Sequence, residues 1–246
     1  MKLNCDMGES FGAWQMGHDQ VVMPWIDMAN IACGFHASDP DVMAQTVAWA
    51  LSHQVEIGAH PGYDDKAGFG RRSIPHSMAA ITQLVAYQAG ALDAICQLQG
   101  GQISYIKPHG ALYNDMMASE SVFEATVEAV SGLNRNRHLA LKLMILAKSD
   151  NNGYQQIAEH YKVELLYEAF ADRAYDDAGL LVPRSQPGAV YQEFERIKQQ
   201  VTELVRGQVT TISGNKLYLA ADTVCVHGDN KASIATIEAL HKVLNP

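Results

Sequence analysis

The sequence predicts an α/β fold in which seven parallel strands, alternating with helices, close into an incomplete (β/α) barrel. Three observations carry this. Short apolar runs alternate with amphipathic helical patterns from end to end, nearly every run stops at an ionisable residue, and no composition break divides the chain. Parallel strands that all end in this way bring their last residues to one face, as barrels do, whereas an open sheet gathers its site at one switch point.

Lys2–Cys5 is the first strand, entering a tight loop with Asp6, Gly8 and Glu9. The loop continues through Gly12–Gly17, and His18–Asp27 gives a short helix. Met28–Cys33 is the second strand, within the run MANIACGFH that ends at His36. Asp39 as cap and Pro40 at the first helical position start a helix running to about His53. Glu56–His60 is the third strand, followed by the glycine-rich loop Pro61–Arg72, a natural binding element. A helix from Ser77 to about Leu98 stops at Gly100-Gly101, and the fourth strand, Ile103–Pro108, leads into His109. Glu120–Leu133 reads as helix, Leu141–Ala147 as a fifth strand ending only in Lys148 and Ser149, and Tyr154–Tyr161 as helix. Strand six, Val163–Ala169, runs on to Asp172 and Arg173 and a long loop, Ala174–Gly188. Glu193–Arg206 is an amphipathic helix, and Val209–Leu219 a small hairpin about Ser213-Gly214-Asn215. Strand seven, Thr223–His227, precedes Asp229 and a final helix from about Lys231 to Leu244.

A chain of 246 residues with 48% hydrophobic content suits a single barrel domain over 1–246. The net charge of -9 and the lack of a Lys/Arg run argue against a nucleic-acid partner. No window approaches a membrane span and the N-terminus has no leader pattern, so the expectation is a cytoplasmic protein without a membrane partner. Cys5, Cys33, Cys96 and Cys225 form no C-x-x-C pair and read as small buried hydrophobes. No phosphate loop, dinucleotide fingerprint or nucleophile elbow is present.

Asp6, Glu9, His36, His60, His109 and His227, with Asp172 and Asp229, form a carboxylate and imidazole set at strand ends. Two readings compete: two histidines and a carboxylate holding a divalent metal that activates water, or metal-free acid/base chemistry with Lys107 as fixed positive charge. A non-catalytic scaffold explains the clustering least well. Arg71, Arg72, Arg173 and Arg184 follow strands, where a guanidinium fork suits a carboxylate or phosphate, or ties a loop to the rim. The other histidines (His18, His53, His76, His138, His160, His241) read as solvated surface.

Six stretches, NCDMGESFGAW (Asn4–Trp14), ANIACGFHASDPDVM (Ala29–Met43), IGAHPGYDD with GFGRR (Ile57–Arg72), IKPHGALYN (Ile106–Asn114), EAFADRAYDDAGLLVPRSQPGAV (Glu168–Val190) and DTVCVHGDN (Asp222–Asn230), resemble the LamB/YcsF family in the same order. The resemblance implies a distorted seven-stranded TIM-like barrel of the glycoside hydrolase/deacetylase type. It implies hydrolytic ring opening of 5-oxo-L-proline (pyroglutamate) to L-glutamate coupled to ATP hydrolysis, carried out together with B and C subunits. In the wider deacetylase superfamily a carboxylate and two histidines hold a divalent metal, which would place Asp6, His36 and His60 as ligands, although the deacetylase histidine spacing is absent. On this reading Asp6 or Glu9 is the base toward water, and Lys107 and His109 stabilise negative charge on oxygen. An arginine from Arg71, Arg72 or Arg184 takes the substrate carboxylate, with Arg173 and Asn114 also on the substrate side. The alternative is a stand-alone metal-dependent amide or acetyl hydrolase.

Overall fold

The computed structural model describes residues 1–227 and 231–244; Asp229, expected at the site, lies outside the described residues. In chain order, β1 (Lys2–Met7) is followed by a one-turn α1 (Asp19–Val22) and a short 3-10 turn. Then come β2 (Met28–Ala32), α2 (Pro40–Ser52), β3 (Glu56–His60), α3 (Met78–Leu98) and β4 (Tyr105–Ile106). Two helices, α4 (Gly110–Ala118) and α5 (Glu120–Asn134), precede β5 (Lys142–Leu146), α6 (Asn152–His160) and β6 (Leu165–Phe170). After α7 (Phe194–Val205), the strands β7 (Gln208–Thr210) and β8 (Lys216–Tyr218) form the expected antiparallel hairpin, and β9 (Thr223–Val226) and α8 (Lys231–Leu244) follow.

Seven strands close into a barrel in the order β1-β2-β3-β4-β5-β6-β9, with β9 pairing back to β1, and every pair is parallel. Alternation along each strand sorts its side chains. Leu3, Cys5, Met7, Ala29, Ile31, Ile57 and Ala59 belong to the large apolar cluster shared with the helices. Met28, Tyr105 and Met144, with Leu166 packed on them, form a separate plug inside the barrel. Gly58 makes room for that plug: a Cβ there would lie 2.1 Å from the Tyr105 ring.

Local chemistry explains the helix starts. The Asp39 side chain accepts from the amides of Asp41 and Val42 ahead of Pro40, and Ser77 caps α3 through the amide of Ala80. No local pattern announces α4, because Pro108 and Gly110 read as loop; Ala111, Leu112, Tyr113 and Met116 form its buried face. β4 is shorter at both ends than the expected Ile103–Pro108, and Pro108 offers no N–H to a ladder. Its strand-like contacts with β3 nevertheless continue, from Ser104 N to Ile57 O (2.8 Å) and from Lys107 N to Ala59 O (2.8 Å). Two histidines expected in solvent are half-buried instead: His76 stacks on Tyr63 at 5.3 Å, and His241 packs edge-on against Trp25 at 5.9 Å. Each is drawn in by an aromatic neighbour distant in the chain.

Candidate active site

Above the apolar plug the barrel interior turns polar. The Tyr105 hydroxyl donates to Asn30 Oδ1 (2.7 Å), and the Asn30 amide donates to Asn4 Oδ1 and Asp6 Oδ1 (2.8 Å each). Asn4 in turn donates to the Thr223 hydroxyl (3.0 Å). Each of these groups is inward because it sits two residues from another inward one, as Asn4 does from Asp6. Buried amides with partners on several strands fix the rotamers of the charged residues above them.

Lys107 is the centre of those charges. Its ammonium lies 2.9 Å from Asp6 Oδ1 and 2.7 Å from Glu168 Oε1, and it is 3% exposed. Burial alone would drive the ammonium to neutrality, but Asp6, Cys225 and Glu168 around it carry its pKa well above the usual lysine value. Burial likewise opposes ionisation of Asp6, and its neighbours His60 and Lys107 outweigh it, holding the carboxyl well below its usual range. The Tyr113 hydroxyl donates to Glu168 Oε2 at 3.1 Å, completing a network that draws on β1, the residue after β4, β6 and α4.

A second cluster adjoins it. His60 Nδ1 lies 2.7 Å from Lys107 O, and its Nε2 lies 2.9 Å from His109 Nδ1 and 3.4 Å from Asp6 Oδ2. His109 Nε2 meets Phe69 O at 2.9 Å. His36, from the loop after β2, stacks on His109 with centroids 3.7 Å apart, and Glu9 Oε1 lies 3.4 Å from His36 Nε2 and 3.5 Å from His109 Nδ1. Burial, reinforced by the neighbouring rings, takes the His36 pKa well down and the His109 pKa to about 3, so both rings stand neutral. Donor atoms of Glu9, His36, His60 and His109 all lie within 4.8 Å of one another, a set that could hold a metal ion. His36 and His60 are thus together as the resemblance implied, but the carboxylate beside them in this set is Glu9, while Asp6 is engaged by Lys107 and Asn30.

These groups open on a cavity of about 560 Å³ whose lining includes Asp6, Glu9, His60, Lys107, His109 and His227. His227 Nδ1 pairs with Asp172 Oδ2 at 2.9 Å. Burial lowers the His227 pKa and Asp172 more than reverses it, so the imidazole titrates above its usual value, while Asp172 is held low against its own burial by His227. Arg71, Arg173, Arg184 and Asn114 also line the cavity. Arg173 is already committed in part, donating from its guanidinium to Val182 O at 2.7 Å. Arg72 does not line it: its guanidinium binds Asp65 and ties the glycine-rich loop to itself. That is the rim-tying role, set by a carboxylate seven residues away.

Sequence reasoning passed over Glu168, Asn4, Asn30 and Tyr113. Glu168 was hidden inside an apolar strand run, yet it lies two residues from Phe170, on the same inward face as Cys225 across the ladder. A lone acid inside such a run was the available signal. The four cysteines are free and buried as expected, and burial pushes the Cys33 and Cys96 thiols up to about 12.

The comparisons with known proteins agree over the full length. The LamB/YcsF family matches residues 1–246. The 5-oxoprolinase A subunit of Vibrio vulnificus (strain CMCP6) is 57% identical over 243 residues, covering 98% of this chain and 96% of that protein. The 5-oxoprolinase A subunit of Pseudomonas fluorescens (strain Pf0-1) is 53% identical over 244 residues, covering 99% and 96%. The solved structure of a lactam utilization protein from Thermus thermophilus superposes with a TM-score of 0.90 at 33% identity, covering 100% of this chain and 97% of the other. The chain belongs to the LamB/YcsF family.

Proposed function

We propose that this chain is the A subunit of an ATP-dependent 5-oxoprolinase, a cytoplasmic hydrolase that opens 5-oxo-L-proline to L-glutamate with B and C subunits. The observation that carries the reading is one cavity with cationic walls lined by Asp6, Lys107 and His227, with Glu168 behind Lys107 and Asp172 behind His227, in a chain similar throughout to proteins of that name. A lactam is a poor electrophile. Transfer of a phosphoryl group from ATP to the lactam oxygen, releasing ADP, makes its carbon open to water. Attack by one water and cleavage of the carbon–nitrogen bond leave a γ-glutamyl phosphate, and a second water releases phosphate and glutamate.

His227 is the proposed proton carrier. With Nδ1 held by Asp172, its Nε2 takes the proton of the attacking water and returns it to the departing ring nitrogen. Lys107, fixed as a cation, stabilises negative charge on the oxygen. Asp6 orients water: its depressed pKa makes it a weak base but a good hydrogen-bond acceptor. Arg71 and Arg184 take the substrate carboxylate or the phosphoryl group. The sequence has no phosphate loop, which supports assigning nucleotide handling to the partner subunits.

The Glu9, His36, His60 and His109 cluster favours a second reading, a metal-dependent amide or acetyl hydrolase acting alone. Assay of this chain with and without B and C separates the two. ATP-dependent release of glutamate only when all subunits are present is the expected result. Zinc-dependent, ATP-independent deacetylation by the lone chain would select the second reading.

A further inference from the structure

The hydrogen bonds around His60 and His109 constrain where their protons lie. His60 Nδ1 sits 2.7 Å from Lys107 O and His109 Nε2 sits 2.9 Å from Phe69 O. A carbonyl only accepts, so both of these nitrogens carry hydrogen. In neutral rings His60 Nε2 and His109 Nδ1 then bear lone pairs, and these two atoms face each other at 2.9 Å. Two lone pairs held that close repel unless a cation or a proton lies beside them. Glu9 Oε1, 3.5 Å from His109 Nδ1, and Asp6 Oδ2, 3.4 Å from His60 Nε2, add negative charge to the same spot.

A proton shared between the two rings would relieve that contact but not the next one. His36 is 0% exposed, and neither of its ring nitrogens has a hydrogen-bond partner among the described residues. A buried imidazole in that condition is costly unless it binds something. Its Nε2 is 3.4 Å from Glu9 Oε1, and its ring lies parallel to that of His109. Stacked parallel to His109, the His36 ring has to rotate for its lone pair to reach an ion that His109 also binds.

The spacings match one kind of occupant. Donors bound at the usual zinc–nitrogen length in a tetrahedron stand about 3.3 Å apart. Three of the six separations among the donors, 2.9, 3.4 and 3.5 Å, bracket that value, and all six are within 4.8 Å. Anchoring the far nitrogens of His60 and His109 on backbone carbonyls is also how proteins orient metal-bound histidines. Three imidazoles and one carboxylate suit a zinc-class ion, not magnesium, which takes oxygen donors.

We propose that Glu9, His36, His60 and His109 form a divalent transition-metal site of the zinc class, with the carbonyls of Lys107 and Phe69 fixing the ligand tautomers and Asp6 standing outside it as the partner of Lys107. The site rests on this geometry and not on the 5-oxoprolinase reading, so metal content and turnover test different claims.

The test is metal binding by the full chain, stripped with a chelator and titrated with zinc and with cobalt, read as metal per chain and as the visible cobalt spectrum. One ion per chain is expected, with an intense low-symmetry cobalt spectrum and no competition from magnesium. Glu9→Gln and His109→Ala should weaken binding by about 100-fold or more, whereas Asp6→Asn, which removes no ligand, should change it by less than about tenfold. Nitrogen NMR of the histidine rings in the unmutated protein covers the case of a variant that fails to fold. Loss of the lone-pair signals of His60 Nε2 and His109 Nδ1 on adding zinc supports the site. No stoichiometric zinc or cobalt binding, equal loss from Asp6→Asn and Glu9→Gln, or a proton retained on His60 Nε2 in saturating zinc would overturn it.

Discussion

Asp6 and Lys107 lie 101 positions apart in the chain and 2.9 Å apart inside the barrel, with Glu168 closing the other side of the ammonium at 2.7 Å. One cation thus pairs with two carboxylates, buried Glu168 and partly buried Asp6, that no local contact could serve. Lys107→Met leaves both acids without that partner, and the expected loss of stability is about 3–5 kcal/mol, the usual cost of breaking a buried pair from one side. Urea unfolding measures it. The double change Lys107→Met with Glu168→Gln should recover part of the loss while activity stays absent; no recovery would mean the pairing is not what stabilises the barrel there.

His227 and Asp172 set a pH window. The His227 pKa is raised in the fold, so its contribution is complete below the unfolded value near 6.5 and is lost as pH rises through the raised one. Asp172 is lowered, so its contribution is lost as pH falls through that depressed value. If neutral His227 accepts the proton of water, kcat/KM rises with pH through the raised pKa. Asp172→Asn should move that limb to lower pH and reduce kcat by about 100-fold or more. An unmoved limb removes His227 from the proton transfer.

Acid should weaken the metal-free fold through His109. The unfolded imidazole takes a proton near pH 6.5, the folded one not until about 3, so between those values falling pH favours unfolding. For this ring, which is 6% exposed, the loss is about 2 kcal/mol at pH 5. Denaturant midpoints of the wild type and of His109→Gln across pH 4 to 8 should converge in acid; parallel curves would show that His109 is not the group responsible.

Gly70 carries the glycine-rich loop past the histidines with a φ of +62°, and a Cβ there would lie 2.6 Å from the Cβ of His36. Gly70→Ala therefore combines backbone strain with a clash against a buried side chain, at about 1–3 kcal/mol or more. Thermal unfolding together with zinc titration is the measurement, and both are expected to weaken. A variant as stable as the parent would mean the loop can back away from His36.

The rim arginines should separate by KM. Arg71→Ala or Arg184→Ala removes a cation from the cavity wall and is expected to raise KM for 5-oxoproline about tenfold or more in the complete enzyme. Arg72→Ala loses its bonds to Asp65 instead and should leave KM within about twofold. Equal effects from all three would point to a general loop rearrangement.

Apolar runs that alternate with helical patterns and end in ionisable residues by themselves determined the strands, their parallel closure and the face on which Asp6, His60, Lys107, His109 and His227 come together, because parallel strands all deliver their last residues to one rim. They could not assign partners. Glu9 rather than Asp6 beside His36, Glu168 beneath Lys107, and Arg72 turned to Asp65 were decided by tertiary structure alone. Such choices depend on distances of a few ångströms between residues far apart in the chain, and on which of two nearby charges loses less by burial. Neither quantity exists until the barrel has closed.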